Sequence, residues 1–283
     1  MPEREGQLHI NPYFQPFINP GASISPDVII EVNSTIPEYC HHAPVIFKPP
    51  RNTFLDNFAW DTSWEIRKHQ DQYLVVSYSS IEHNEIYGIA SFVPETNRWK
   101  VYLKDFHKSS DPFAYPLGTL ILYYITIQNS GIMVHASGIA IQDGGMIFSG
   151  FSGTGKTTMS DIWRQEGYQI INDDRLIIRK RGKDFFMYNS PMTYMDDPRH
   201  CKLTHIFLLK QSKENYSKRL SGTNALARFM AFCIQHNYDK QIIAKPLNTI
   251  KEIQASLPIH ELGFYPDAEI TKYINSHYFE DHR

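Results

Sequence analysis

Apolar and polar positions alternate through much of the first third of the chain. "WEIRKHQ" and "QYLVVSYSS" flank Asp71, and "IYGIASFV" and "RWKVYLKDF" flank "PETN". Each pair sets β-branched and aromatic residues on both sides of a turn signal, which predicts two β-hairpins. Prolines at 12, 16, 20, 26, 37, 44, 49 and 50 predict an extended, loop-rich segment before them. His41 and His42 are adjacent; as strand neighbours they point to opposite faces, which argues against a shared metal.

The pattern changes near residue 111. "LGTLILYYITI", Leu117 to Ile127, is too short for a bilayer span of about 20 residues. It predicts a buried helix closed by Gly131. A hairpin follows, "IMVHASGIAIQ" and "MIFS" around "DGG". In "TTMSDIWRQEG", Met159, Ile162 and Trp163 share a helical face and Gly167 stops it. "YQIIN" is a short strand ending at Asp173-Asp174, "LIIRKRGKDFFMYNS" a hairpin turning at 181–183, and "HIFLLKQ" a buried strand. Three helices follow, the first with Ser221 or Thr223 as N-cap. The expectation is a β-rich N-terminal domain over 1–110 and an α/β domain with a mixed sheet over 111–283.

Composition adds exclusions. With 42% hydrophobic and 20% charged residues the chain is not globally disordered, and a net charge of −2 offers no field for nucleic acid. Cys40, Cys201 and Cys233 lack metal-ligand spacing, and their odd count suits a reducing compartment. With no apolar leader in "MPEREGQLHINPYF", a cytoplasmic protein without membrane attachment is expected.

The chemistry concentrates in "GFSGTGKTT", residues 150–158. Gly150, Gly155, Lys156 and Thr157 fit G-x-x-x-x-G-K-[ST], between a strand-like and a helix-like segment as that motif requires. Glycines let successive N–H groups of Ser152, Gly153, Thr154 and their neighbours turn toward phosphate oxygens. Lys156 brings positive charge, the Thr157 hydroxyl suits Mg²⁺, and the helix beginning near Thr158 directs its dipole at the anion.

Two carboxylates follow at a spacing that fits strand, loop, helix and strand. If the two strands run parallel, Asp173 and Asp174 stand beside the loop. Mg²⁺ commonly takes one or two carboxylates plus phosphate oxygens and water. His135 is delivered by the hairpin. With Asp143-Gly144 as the turn, His135 faces Ser152; a turn moved by one residue puts it opposite Thr154. "YMDDPRH" adds Asp196, Asp197, Arg199 and His200 in a loop, where Arg199 is a candidate phosphate fork, as is Arg175.

Together "VHASG", "GFSGTGKTT" and "INDDR" resemble the catalytic core of the HPr kinase/phosphorylase family, and the loop also looks like that of phosphoenolpyruvate carboxykinases, whose core fold those kinases share. The specific part of the resemblance spans 135–175. It implies an ATP- and Mg²⁺-dependent kinase acting on a Ser/Thr-type hydroxyl of a peptide, protein or small molecule. By it Lys156 binds nucleotide phosphates and Thr157 the metal. Asp173 and Asp174 divide metal and base duties, with Asp174 nearer the acceptor, and His135 lies at the transfer centre. The family's C-terminal signature is not found, which points away from the HPr protein as acceptor and toward stand-alone relatives; a homo-oligomer is compatible. Two alternatives stand beside it: a nucleotide-gated binding or peptide-handling module, and a carboxykinase-like enzyme on a small acid.

Overall fold

The computed structural model describes residues 11–19, 25–49, 64–78, 85–94, 96–104, 111–191, 197–234 and 240–279. The described residues fall into two units, one up to Gln128 together with Pro191 and Asp197, the other over 129–190 and 198–279. "MPEREGQLHI", Pro20, Pro50 and Asp196 lie outside the described residues.

The first unit is built on a six-stranded sheet. Its strands are β1 (Ile29–Asn33), β2 (Val45–Phe47), β3 (Trp64–His69), β4 (Gln72–Tyr78), β5 (Ile86–Phe92) and β6 (Arg98–Leu103). Both expected hairpins form: His69 pairs with Gln72 across Gln70-Asp71, and Phe92 pairs with Trp99. A short helix α1 (Glu38–His42) carries the two histidines, so they are helical neighbours rather than strand neighbours; His42 Nε2 meets Glu38 Oε1 at 2.8 Å on the surface. The apolar run forms α2 (Leu117–Gln128), which belongs to this unit and not to the loop-bearing one. Its Tyr124 ring lies 5.0 Å from Phe92, itself stacked on Trp99 at 4.3 Å. The left-handed residue after α2 is Ser130 at φ 56°, where Gly131 was expected to close the helix.

The second unit is a nine-stranded mixed sheet with helices on both faces, an α/β architecture. Its elements in chain order are β7 (Ile132–Ile141), β8 (Gly144–Ser149), α3 (Lys156–Gln165), β9 (Ile170–Asn172), β10 (Arg175–Arg181) and β11 (Asp184–Asn189). Then come β12 (His200–Lys202), β13 (His205–Gln211), β14 (Tyr216–Leu220), α4 (Gly222–Met230), α5 (Lys240–Ser256), β15 (Ile259–Phe264) and α6 (Glu269–Tyr278). The spatial order is β12-β11-β10-β7-β8-β13-β15-β14, with β9 also paired to β7. The apolar face of α3 (Met159, Trp163) joins Ile270 and Ile274 of α6 against Phe148 and Phe207 of the sheet. Residues of α4 and α5, such as Phe229 and Ile253, cover the opposite face over Ile147, Ile206 and Leu176. Both faces are therefore covered, as parallel pairing such as β8–β13 and β13–β15 normally requires.

The topology answers where β9 runs. It pairs antiparallel with β7, as does β8, so β8 and β9 point the same way with β7 between them. Their C-terminal ends share one edge of the sheet, and the early residues of β7 lie at that edge. The hairpin register corrects the expected turn: Ile141 faces Gly144, so Gln142-Asp143 is the turn, and Ala136 rather than Gly138 faces Ser149. The glycines at 144 and 145 serve close approach instead. A Cβ on Gly145 would meet Met187 Cε at 2.4 Å and Cys201 Sγ at 2.5 Å, and one on Gly144 would meet Thr204 Cγ2 at 2.6 Å.

Among the described residues, no helix is long and apolar enough to cross a membrane.

Candidate functional site

The loop leaves β8 at Ser149, curls through 150–155 and enters α3 at Lys156. Gly155 sits at the N-cap with φ 102°, a left-handed conformation that disfavours a side chain. Gly150 has a different reason to be glycine: a Cβ there would meet Thr154 Oγ1 at 2.5 Å. The Thr154 hydroxyl donates to the Phe151 carbonyl at 2.7 Å, and Gln211 Nε2 at the end of β13 donates to the Gly153 carbonyl at 2.8 Å. Ser152 and Gly153 are exposed, as are Thr157 and Thr158 in the first turn of α3.

Lys156 is 7% exposed, and its Nζ donates to the carbonyls of Gly150 (2.9 Å) and Phe151 (3.1 Å). An ammonium has three donors, so a third N–H is left over from these two bonds. Burial pulls the Lys156 pKa below the ordinary lysine range, partly opposed by the negative charge of Asp174. The start of the helix is tied to the sheet by the buried hydroxyl pair Ser137–Ser160.

β9 and β10 form nearly one strand along β7: Gly138 faces Asn172 and His135 faces Arg175, three residues on in each strand. The distortion between them falls on Asp173 and Asp174. Asn172 shapes it, its Oδ1 accepting from the N–H groups of Asp174 (2.8 Å) and Arg175 (3.0 Å). Such an Asx turn is signalled by an Asn at a strand end, and its positioning role was not read from the sequence. The backbone is pinned across the ladder as well, since Ala136 N–H donates to the Asp174 carbonyl at 3.1 Å.

The two carboxylates face different surroundings. Asp174 Oδ1 is 3.2 Å from His135 Nδ1, and its Oδ2 is 3.8 Å from Arg175 Nε. Burial, the largest single influence, pushes the Asp174 pKa up. The His135 hydrogen bond and the charges of Arg175, His135 and Lys156 together outweigh it and leave the pKa below the usual carboxylate range. Asp173 leans toward α3, with Oδ2 3.9 Å from Arg164 Nη2. There burial raises the pKa, and the Arg164 charge opposes it only in part.

His135 thus reaches the loop's edge by a different route from the expected register. Its neighbours are Asp174 and Arg175 across β10, while its carbonyl accepts from Ser149 Oγ at 2.8 Å on the β8 side. The structure gathers His135, Asp174 and Lys156, and sets Asp173 against α3. Arg199 braces β9, its Nη1 donating to the Ile170 carbonyl at 2.8 Å. His200 stacks on Tyr188 at 5.4 Å.

These residues fit a phosphate and a hard cation. A loop of exposed glycine, serine and threonine leads into a helix N-terminus beside a buried ammonium, a donor set suited to phosphate oxygens. Among the described residues no three His, Cys, Asp or Glu side chains come together as a metal cage. Mg²⁺ does not need one, because carboxylate, hydroxyl, phosphate and water oxygens complete its shell.

No protein-family model and no curated protein matches the chain. Among solved structures, the Hpr(Ser) kinase/phosphatase from Coxiella burnetii overlaps 51% of this chain and 91% of its own, at 10% identity and a TM-score of 0.30. An overlap at that TM-score marks a distant resemblance without establishing a common fold.

Proposed function

We propose that the second unit is a nucleotide-dependent phosphotransferase that moves the terminal phosphoryl group of Mg-ATP onto a hydroxyl. The observation that carries this reading is the meeting of the 150–158 loop, Lys156 and the His135–Asp174 pair at one edge of the sheet. In a purely binding module nothing calls for a histidine–carboxylate pair beside the loop.

In this reading the loop N–H groups and the start of α3 hold the donor's phosphates, and Lys156 supplies charge to the phosphoryl group being transferred. Thr157 and Asp173 offer oxygens to Mg²⁺, which when bound neutralises phosphate charge. Asp174, kept ionised by His135 and Arg175, orients the acceptor hydroxyl and takes its proton. His135 fixes that carboxylate and answers the negative charge that gathers at the transfer centre. The new P–O bond forms to the acceptor oxygen as the bond to the leaving nucleoside diphosphate breaks, and the hydroxyl proton passes to Asp174.

Incubation with Mg-ATP and hydroxyl-bearing acceptors, followed by mass spectrometry, tests the reading. The expected result is a gain of about 80 Da on an acceptor, the mass of one phosphoryl group, absent with Asp174→Asn. Tight ATP binding without phosphotransfer to any acceptor would replace it with the binding-module alternative.

A further inference from the structure

Beside the phosphate loop lies an open cleft of about 530 Å³ built wholly from the second unit. Its apolar wall is Phe151, Phe232 and Leu209; its cations are Lys210 and Arg228. Phe151 is 57% exposed although it belongs to the loop, and its ring meets Phe232 edge to face with centroids 5.0 Å apart. A phosphate loop has no need of an aromatic ring turned to solvent, so this ring has another use.

The cleft wall is fixed to the reacting pair. The carbonyl of Phe232 accepts the backbone N–H of His135 at 3.1 Å, and Ile234 N–H donates to the Met133 carbonyl at 2.8 Å. The segment after α4 thus hangs on the start of β7, one backbone hydrogen bond from the residue that holds Asp174. On the other side, Gln211 holds the Gly153 carbonyl and keeps the loop wall in place. Arg228 is committed to Glu261 at 2.7 Å, while Lys210 is exposed. No carboxylate is among the described residues lining the cleft; Glu261, which pairs with Arg228 and feels the charge of Lys210 more weakly, lies outside that lining and leaves Lys210 as the exposed cation of the cleft.

We infer that this cleft seats the acceptor, and that the acceptor is a peptide carrying an apolar or aromatic side chain and a carboxylate close to its hydroxyl. The inference rests on the phosphotransfer reading. The apolar side chain covers Phe151 and Phe232, the carboxylate meets Lys210, and the hydroxyl is carried toward Asp174. A nucleoside base is the competing occupant. The geometry favours the peptide because the cleft runs along residues 151–154 and hangs from His135, while Thr157 and Thr158 in the first turn of α3 line none of it.

The test uses fluorescein-labelled hexapeptides holding one serine, one phenylalanine and two glutamates, against counterparts with lysines in place of the glutamates. Binding to the full chain is read by fluorescence polarisation, with ATP binding followed by calorimetry. The acidic peptide is expected to bind at least about tenfold more tightly. Lys210→Glu is expected to reverse that preference with ATP affinity unchanged, and Phe151→Ala to weaken both peptides. Equal binding of the two peptides, or none, overturns the inference. So does a loss confined to ATP in both variants, which hands the cleft to the nucleoside. Selective peptide binding without an 80 Da gain (the phosphoryl mass) upholds the cleft and refutes the phosphotransfer reading alone.

Discussion

His135 and Asp174 meet across the β7–β10 ladder, with Nδ1 3.2 Å from Oδ1. The contact exists because β7 serves two partners. On one side it completes the hairpin with β8, which launches the 150–155 loop; on the other it carries β9 and β10, which bracket the two carboxylates. The spacing between loop and carboxylate is therefore set by strand pairing rather than by loop conformation, and sites held on regular elements keep their geometry better than sites held on loops.

The two aspartates should respond oppositely in stability and alike in activity. The Asp174 carboxyl is held below its ordinary pKa, so its ionised form stabilises the fold. That contribution is complete above the unfolded value of about 3.9 and is lost as the pH falls through the lower folded value. The Asp173 carboxyl is raised, so its ionisation disfavours the fold at neutral pH. Calorimetry at pH 7 should show a lower Tm for Asp174→Asn and a higher one for Asp173→Asn. Each should slow phosphotransfer by about 10²-fold or more. A lower Tm for Asp173→Asn would contradict the split in their surroundings.

Lys156→Met should separate binding from folding. The ammonium is buried and its pKa pulled down by that burial, so it is a charge held at a desolvation cost. Methionine relieves that cost but takes the Lys156 donor away from the Gly150 and Phe151 carbonyls, so the two effects oppose each other. Thermal denaturation should shift by no more than about 4 °C, the equivalent of roughly 1 kcal/mol for a chain of this size. Calorimetric titration should show ATP affinity down by about tenfold or more. Unchanged affinity would remove Lys156 from the phosphate site.

Local signals were legible and long-range ones were not. The spacing of Gly150, Gly155 and Lys156 marked the loop, and turn residues marked the hairpins at Asp71 and at 181–183, where Gly182 takes φ 62°. The Gln142-Asp143 turn was misread because Gly144 and Gly145 look like turn residues, while what they answer to is Thr204, Met187 and Cys201, distant in sequence. β15 escaped notice because His260 and Glu261 interrupt its apolar run. Glu261 is nonetheless half-buried or deeper there, satisfied by Arg228 at 2.7 Å and Tyr216 at 3.0 Å. Likewise α2 reads as a buried helix from its composition, yet its own sequence does not say which sheet it covers.

The loop glycines should differ in what replaces them. At Gly155, φ is 102° and a Cβ would meet Phe264 Cζ at 2.5 Å, so alanine meets both backbone strain and a clash with a buried ring. At Gly153, φ is 76° and nothing lies within 4 Å, leaving only the strain. Urea denaturation should give a loss of about 2–4 kcal/mol for Gly155→Ala and of about 1–2 kcal/mol for Gly153→Ala. Gly153→Asn should recover part of the latter, because asparagine tolerates the left-handed region. Equal losses at the two sites would show that Phe264 yields to the added methyl.

A last prediction concerns acid stability at a place remote from the 150–158 loop. His205, at the start of β13, lies among the rings of Phe207, Tyr278 and Phe279, with Nδ1 3.1 Å from Thr204 Oγ1. Burial, helped by the nearby His260, lowers its pKa to about 4. His260 is lowered too, by burial first and then by the charge of Arg219. The folded state therefore keeps His205 neutral where the unfolded chain, with an ordinary value of about 6.5, binds a proton. The stability contributed is complete above that value, declines as the pH falls toward 4, and declines no further from this group below it. Unfolding free energies from urea titrations between pH 7 and 4 should fall by up to about 1.4 kcal/mol per pH unit for this histidine. His205→Phe keeps an aromatic ring against Phe207 and removes the titrating group, so its slope over that interval should be shallower by a similar amount. Parallel slopes for the two proteins would mean that His205 is protonated within the fold, and that its aromatic surroundings open to admit the charge.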